Sequence, residues 1–293
     1  MKVLITGANG QLGQELAHCL RTGRSELGAI PPEYTGAEVT AADLQELDIT
    51  RPSDTLEYIG ALSPELIFHC AAMTQVDACE GDQETAMRVN AFGARDVARA
   101  AQKVGAKLLY VSTDYVFSGQ GTSPYAEWDV PAPNTVYGKS KLLGERYVSE
   151  QCARSFIVRT AWLYGAAGHN FVRTILRTVE ERGTAKVVDD QRGSPTNASD
   201  LAHHLLKLAL TEQYGVCHCV GRGQCSWYEF ACEIVRLAGV AGEITPCSTA
   251  EFPRPAPRPA YSVMRNLALD CAVGDEMRDW KDALEGWFAR VVT

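Results

Sequence analysis

The sequence lacks the features that mark several other classes of protein. Its ten cysteines include no Cys-x-x-Cys pair, so neither a zinc site nor a disulfide framework is predicted. No run approaches the roughly 20 apolar residues of a membrane span, and no signal-peptide cleavage site follows the short apolar start. Because the net charge is -8, bulk electrostatics give no reason to expect binding to nucleic acid or to an anionic membrane. We expect a cytoplasmic protein that has no metal ligands and binds neither nucleic acid nor a membrane.

The composition is that of an ordinary globular protein. Of the 293 residues, 46% are hydrophobic and 22% are charged. This length suffices for one large α/β unit or for two closely joined domains. Cys217, His218 and Cys219 form one tempting cluster, but their position in an alternating apolar run favours a strand over metal ligation.

A strand, a glycine turn and a helix are predicted at the start of the chain. Residues 2–6 are apolar or β-branched, and Leu12, Leu16 and Leu20 then recur at helical spacing. The turn has the pattern Gly-x-x-Gly-x-x-Gly, which lets the backbone approach a pyrophosphate while the helix N-terminus faces the anion. The pattern therefore predicts a dinucleotide site formed by Gly7, Asn9, Gly10, Gln11, Leu12 and Gly13.

An acid ends the second predicted strand, at residues 38–43. The carboxylate of Asp43 is expected to accept hydrogen bonds from the adenosine ribose and to disfavour the additional phosphate of NADP. No arginine or lysine follows within the next several positions. The sequence therefore favours NADH slightly, although it is compatible with both cofactors. The alternative role of Asp43 is to cap the next turn.

Further strands are predicted at residues 66–72 and 107–112, with a long amphipathic helix at residues 83–103 between them. Thr113 follows the later strand at its carboxyl end, where ligands bind in open parallel sheets. Its hydroxyl is thus expected to meet a substrate oxygen, the alternative being a role in forming a turn. His69 lies in an apolar run and is predicted to be a core residue. Asn90 lies on the helix, and the sequence leaves open whether it serves the fold or the site.

Tyr137 and Lys141 are four residues apart in a segment predicted to be helical, with Asn134 as its N-cap. Residues at i and i+4 share one face of a helix. The ammonium group is therefore expected to lower the pKa of the phenol from its usual value of about 10. Such a phenol can donate or accept a proton when a carbonyl and an alcohol interconvert. The same spacing is also common on solvated helix faces.

Several stretches, in order along nearly the whole chain, resemble the dTDP-4-dehydrorhamnose reductase family of the extended short-chain dehydrogenase/reductase superfamily. The longest are Val-Ser-Thr-Asp-Tyr-Val-Phe at residues 111–117 and Val-Tyr-Gly-Lys-Ser-Lys-Leu-Leu-Gly-Glu at residues 136–145. The others are residues 71–77, 159–165, 170–172, 190–196 and 258–262.

The resemblance implies an oxidoreductase that uses NADH or NADPH to reduce C4 of dTDP-4-keto-6-deoxy-L-mannose, giving dTDP-L-rhamnose for surface polysaccharide. In that family a threonine, a tyrosine and a lysine are catalytic, and they map onto Thr113, Tyr137 and Lys141. The cofactor contacts map onto the glycine turn, Ala71, Ala72, Thr74, Tyr137 and Lys141. Substrate contacts are expected at Thr113, Asp114, Tyr115, Trp162, Asn170 and Arg258. A divalent cation such as Mg2+ and a homodimer are left open.

The predicted fold class is α/β, with a Rossmann-type doubly wound parallel sheet and a smaller C-terminal substrate-binding α/β domain. The cofactor domain is predicted at residues 1–160, with residues 185–212 returning to it. The sugar-nucleotide domain is predicted at residues 161–184 and 213–293. Four prolines at residues 253–259 exclude a regular helix there. In that loop, Arg254 and Arg258 are expected either to pair with the substrate diphosphate or to be solvated.

Two alternative functions stay open. The first is another nucleotide-sugar enzyme of the same class, such as a 4-epimerase or a reductase of a different hexose. A 4,6-dehydratase is disfavoured because that group has Asp-Glu after its threonine, whereas Asp114 and Tyr115 follow Thr113 here. The second is a non-catalytic regulatory subunit, against which the intact set of Thr113, Tyr137 and Lys141 argues.

Overall fold

A six-stranded parallel sheet is the centre of the computed structural model, which describes residues 1–291. The strands of the chain are β1 Lys2–Thr6, β2 Arg24–Ser25, β3 Gly28–Ala29, β4 Glu38–Ala42, β5 Leu66–His69, β6 Lys107–Thr113, β7 Ser155–Thr160, β8 Leu163–Tyr164, β9 Thr184–Val188, β10 Arg192–Gly193, β11 Thr196–Asn197, β12 Gly215–His218, β13 Cys225–Ser226 and β14 Glu243–Cys247. The central sheet has the order β12-β7-β6-β5-β1-β4.

Eleven α-helices accompany these strands in the described residues. They are α1 Gln11–Thr22, α2 Pro52–Leu62, α3 Val76–Gly81, α4 Gln83–Met87, α5 Ala94–Val104, α6 Val136–Gln151, α7 Phe171–Arg182, α8 Ala198–Ala209, α9 Trp227–Ala238, α10 Leu267–Val273 and α11 Trp280–Val291. A π-helical segment, Arg88–Gly93, joins α4 to α5, so the long helix predicted at residues 83–103 is present but interrupted. Across residues 1–291, no helix is both long enough and apolar enough to cross a membrane.

The strand order reverses between β1 and β5. From β1 the chain first moves to β4 on one side and then to β5 on the other. Ligands of doubly wound sheets bind at the carboxyl ends of the strands beside such a reversal. A ligand site is therefore expected at the loops that follow β1, β4, β5 and β6.

Helices cover both faces of the sheet, which is why its inner strands contain continuous apolar runs, at residues 3–5, 66–68 and 108–111. Helices α1 and α8 pack on one face, where Leu12, Leu16, Leu201 and Leu205 are buried. Helices α2, α5 and α6 pack on the other face, where the buried residues include Ile59, Val97, Ala98 and Val148. This arrangement confirms the predicted α/β, doubly wound fold class.

A smaller lobe is built around the parallel pair of β9 and β14. Helices α7, α9 and α11 surround this pair and share a core with Val172, Phe230 and Trp287. The two parts of the chain interleave differently from the predicted boundaries. Strand β9, at residues 184–188, lies in the smaller lobe because it pairs with β14. The segment that returns to the central sheet includes β12, at residues 215–218, because that strand pairs with β7.

Candidate active site

A cavity of about 990 Å³ opens at the carboxyl ends of the central strands. Residues that follow β1, β4, β5, β6 and β7 line it, and α6 adds Tyr137 and Lys141. The proline-rich loop completes the wall with Pro259 and Ser262. All the predicted catalytic and cofactor residues lie on this wall: Gly7, Asn9, Gly10, Gln11, Leu12, Gly13, Asp43, Ala71, Ala72, Thr74, Thr113, Tyr137 and Lys141.

The glycine turn has the shape of a dinucleotide cradle. Gly7 has a φ of +66°, and a Cβ atom there would lie 2.6 Å from the backbone nitrogen of Ala71. A Cβ atom at Gly13 would collide with the carbonyl oxygen of Gly7. Within the described chain, no side chain caps the N-terminal amides of α1, so they remain available to an anion. The turn therefore fits the pyrophosphate of a nicotinamide dinucleotide.

The carboxylate of Asp43 holds this turn in place. It accepts hydrogen bonds from the backbone nitrogens of Asn9 and Leu44, each at 2.8 Å. Asp43 thus caps the backbone after β4, as in the alternative predicted for it, and still lines the cavity. Lys141 is the one basic residue among those that line the cavity within residues 1–291.

Asn90 fixes the wall formed by Ala71–Thr74. Its side chain accepts a hydrogen bond from Met73 N at 2.8 Å and donates to Met73 O at 3.1 Å. It also donates to the Ser140 hydroxyl at 3.0 Å. This answers the question that the sequence left open, because Asn90 joins a cavity wall to the helix that carries Tyr137.

Thr113 and Asp114 form a hydrogen-bonded pair at the end of β6. The Thr113 hydroxyl donates to Asp114 Oδ1 at 2.8 Å and accepts from Tyr115 N at 3.2 Å, so it forms a turn as well as lining the cavity. Burial raises the pKa of Asp114 to about 6, although hydrogen bonds from Thr113 and Ser262 oppose the shift. A carboxyl that titrates near neutral pH therefore lies beside the threonine, which sequence reasoning did not foresee.

Helix α6 begins one residue later than predicted. Thr135 is its N-cap and accepts a hydrogen bond from Gly138 N at 3.0 Å. Asn134, the predicted cap, instead donates from its side chain to Ser118 O. Both residue types cap helices well, so the pattern alone did not distinguish them. A Cβ atom at Gly138 would collide with Tyr115 O, so α6 packs directly on the loop after β6.

The prediction that the pKa of Tyr137 is lowered is wrong. Burial raises the pKa of Tyr137 above its usual value, and a hydrogen bond with Thr113 only partly opposes this. The Lys141 ammonium donates to Val111 O at 2.7 Å and lies 4.0 Å from the centroid of the Tyr110 ring. Burial also lowers the pKa of Lys141 to about 7, against the attraction of Glu145. At neutral pH the site therefore holds a neutral phenol beside a partly protonated amine.

Two stacked tryptophans form another part of the wall. Trp162, predicted from the sequence, and Trp227, which sequence reasoning missed, stack with ring centroids 3.5 Å apart. Trp162 has a φ of +47°, an outlier for a bulky residue. Asn170 is not among the lining residues, because its side chain caps α7 through Arg173 N and donates to Gly165 O. No local sequence pattern indicated Trp227 as a site residue, because it begins α9, a helix of the smaller lobe.

Arg258 is not free to meet a diphosphate in this structure. Its guanidinium donates to the Asp77 carboxylate at 2.7 Å and to Ala256 O at 3.0 Å. The side chain is 21% exposed and lies outside the residues that line the cavity. The sequence showed the arginine but not its partner, because Asp77 lies on α3, far away in the chain.

The histidines and cysteines of residues 1–291 form no metal centre. Within residues 1–291, no group of three or more His, Cys, Asp or Glu side chains is placed to hold a metal ion. Cys217 and His218 lie in strand β12, as predicted. His69 is buried, as predicted, and shares a 2.7 Å hydrogen bond with Thr6.

Comparison with known proteins identifies the family. The whole chain, residues 1–293, matches the family described as the RmlD substrate binding domain. The chain belongs to the RmlD family. A spore coat polysaccharide biosynthesis protein of Bacillus subtilis, SpsK, is 40% identical to it over 97% of this chain and 95% of its own length.

Solved structures of RmlD-like proteins agree closely with this fold. A dTDP-4-dehydrorhamnose reductase from Clostridium acetobutylicum is 43% identical over 100% of both chains, with a TM-score of 0.94. A second one, from Bacillus anthracis in complex with NADP, is 43% identical over 98% of both chains, with a TM-score of 0.92. The family resemblance predicted from the motifs is thereby confirmed.

Proposed function

We propose that this member of the RmlD family reduces the C4 carbonyl of dTDP-4-keto-6-deoxy-L-mannose to give dTDP-L-rhamnose. The observation that carries the proposal is that Thr113, Tyr137 and Lys141 meet on the wall of a cavity that also contains the glycine cradle. The two solved relatives are named dTDP-4-dehydrorhamnose reductases, which supports the same substrate here.

The chain provides the proton and the hydrogen bonds that the reduction needs. The glycine cradle, Ala71–Thr74 and Lys141 would hold a reduced nicotinamide, which when bound would supply the hydride for the carbonyl carbon. Tyr137 is neutral at pH 7, since a phenol has a pKa of about 10 and burial raises that of Tyr137 further. Its O–H can therefore donate to the substrate oxygen as negative charge develops there. The Thr113 hydroxyl becomes the second donor when the substrate oxygen replaces Asp114 Oδ1 as its acceptor, and it then fixes the orientation of the carbonyl.

Lys141 completes the proton balance. As the C–O double bond is reduced, one C–H bond and one O–H bond form, and Tyr137 is left as a phenolate. A nearby ammonium favours that phenolate electrostatically. The phenolate then recovers its proton from the amine or from water. The protonation state of Lys141 is therefore expected to affect turnover more than substrate binding.

The direct test mixes the purified protein with NADH or NADPH and freshly prepared dTDP-4-keto-6-deoxy-L-mannose and follows the nicotinamide absorbance. We expect oxidation of the cofactor and a product that co-elutes with dTDP-L-rhamnose. Tight cofactor binding without oxidation would contradict the proposal. In that case other nucleotide 4-keto sugars and a 4-epimerase assay would separate a different enzyme from a regulatory subunit.

We propose that NADH is the better cofactor, because Asp43 lies on the cavity wall and Lys141 is the one cation that lines it in the described chain. The 2′-phosphate of NADPH would then meet a carboxylate without a basic partner. The Asp43→Asn variant is expected to move the ratio of NADH to NADPH dissociation constants roughly tenfold towards NADPH. Quenching of tryptophan fluorescence on titration with each cofactor measures both constants without turnover.

A matched control comes from Asp48, a second acid on the cavity wall, whose carboxylate accepts from Thr50 instead. The Asp48→Asn variant should leave the ratio of the two dissociation constants unchanged. Equal ratios in wild type and Asp43→Asn would remove Asp43 from cofactor selection. A cytoplasmic location and a homodimer stay predictions, and a requirement for Mg2+ finds no support in residues 1–291.

A further inference from the structure

A buried ion pair lies behind the cavity wall without lining the cavity. Glu145 is on α6 and Arg159 is on β7, and their side chains are 5% and 4% exposed. The Arg159 guanidinium binds both carboxylate oxygens, with Nε to Oε1 at 2.9 Å and Nη2 to Oε2 at 2.7 Å. The Ser112 hydroxyl donates to Oε1 at 2.6 Å. The carboxylate is therefore held in one position by three donors on two strands.

Stability alone is a poor explanation for such a pair. Removing two charges from water is costly, and apolar residues of similar size often serve a core as well or better. However, each of the three residues in this network is close in sequence to a residue of the cavity wall. Ser112 precedes Thr113 on β6, Arg159 precedes Thr160 on β7, and Glu145 lies one helical turn beyond Lys141 on α6.

Glu145 differs in charge from the other titratable groups near Lys141. Strand β5 brings His69 near the amine, and Cys70 follows directly after that strand. Strand β6 brings the Tyr110 ring, and helix α6 brings Tyr137 and Glu145. Burial lowers the pKa of His69 to about 3 and raises that of Cys70 to about 12, so both are neutral at pH 7. Burial raises the pKa of both tyrosines as well. Of these groups, Glu145 is the one that carries negative charge.

We propose that Glu145, fixed by Arg159 and Ser112, is a positioning residue that keeps the Lys141 amine protonated in its buried site. The catalytic value of this effect rests on the proposed reductase function, but the electrostatic effect itself does not. Arg159 acts indirectly: its guanidinium binds both oxygens of the Glu145 carboxylate and so helps to keep that buried group ionised.

The direction of the effect follows from the two opposing causes. Burial lowers the pKa of Lys141 to about 7, and Glu145 is the largest cause that raises it. Loss of the carboxylate charge therefore lowers the pKa of Lys141 further and leaves more of the amine neutral at pH 7. The same result is expected when Arg159 is removed and Glu145 takes up a proton.

The test is a pH titration of the full-length protein labelled with 13C at lysine Cε, followed by NMR. The Lys141 signal is the one that disappears in Lys141→Met. In Glu145→Gln we expect the Lys141 midpoint to fall by about one pH unit relative to wild type. Asp200→Asn, which breaks another buried ion pair with Arg278 outside the cavity, should leave the Lys141 midpoint unchanged.

Identical midpoints in folded wild type and Glu145→Gln would overturn the proposal, as would an equal shift in Asp200→Asn. If Glu145→Gln does not fold, Ser112→Ala removes only one of the three donors and should give a smaller shift in the same direction. The titration needs neither substrate nor cofactor. If the Lys141 midpoint shifts but the protein reduces no nucleotide sugar, the result would support the role of Glu145 and contradict the proposed function.

Discussion

The Tyr137→Phe variant is expected to lose roughly 10²–10⁴-fold in kcat, which is the usual contribution of a positioned general acid. The phenol O–H of Tyr137 lies on the cavity wall, and phenylalanine keeps the ring while removing that proton. Cofactor binding should change little, because the glycine cradle and Lys141 are untouched. Single-turnover kinetics together with a cofactor titration separate the chemical step from binding.

The control for this variant is Tyr147→Phe, which makes the same change on the same helix. Tyr147 lies against Phe92 and Arg95, outside the residues that line the cavity. Its variant should turn over at the wild-type rate. If Tyr137→Phe kept more than about one tenth of the wild-type kcat, well above the loss expected of a general acid, another residue would supply the proton. Asp114, with a pKa of about 6 and a place beside Thr113, would be the first candidate.

The sequence predicted best what short stretches of chain determine. The glycine turn at Gly7–Gly13 joins a strand to a helix within a few residues, so spacing alone indicates its geometry and its ligand. Tyr137 and Lys141 reached the cavity together because positions i and i+4 share a face on any helix. The carboxyl ends of the parallel strands then collected these separate motifs into one site, as the strand order requires.

Properties that depend on distant partners were not predictable in this way. The i and i+4 spacing suggested an acidified Tyr137, but burial by the whole fold dominates its pKa and reverses the direction. Arg258 was visible as a cation, but its pairing with Asp77 requires α3 and the proline-rich loop to meet. Trp227 reaches the cavity only because α9 packs beside Trp162. In each case the deciding neighbour comes from another part of the chain.

The contacts between the two lobes were also not predictable from the sequence, because they too join distant parts of the chain. Arg278 lies just before α11 and binds Asp200 of α8 at 2.6 Å and Glu26 at 2.7 Å. Arg290 of α11 binds Glu15 of α1, also at 2.6 Å. These charges are scattered over the chain and form no motif. In the fold they join the C-terminal helix of the smaller lobe to the helices of the cofactor-binding part.

The Arg278→Met variant is expected to lower the free energy of unfolding by about 3–5 kcal/mol, the usual result of removing one partner from a buried pair. Methionine fills much of the same volume, so the loss comes from charge. Asp200 is 1% exposed and Glu26 is 10% exposed, and both would lose their strongest partner together. Urea unfolding followed by circular dichroism measures the change.

Arg236→Met is the matched control, because Arg236 also binds two carboxylates, those of Glu233 and Glu285, but is 60% exposed. Exposed pairs contribute little to stability, so the urea midpoint of this variant should match that of wild type. A loss in Arg278→Met no larger than in the control would mean that water reaches Asp200 and Glu26 when the arginine is removed. The contact between the lobes would then depend on the apolar packing of α11, through Trp280, Leu284 and Trp287, and not on these charges.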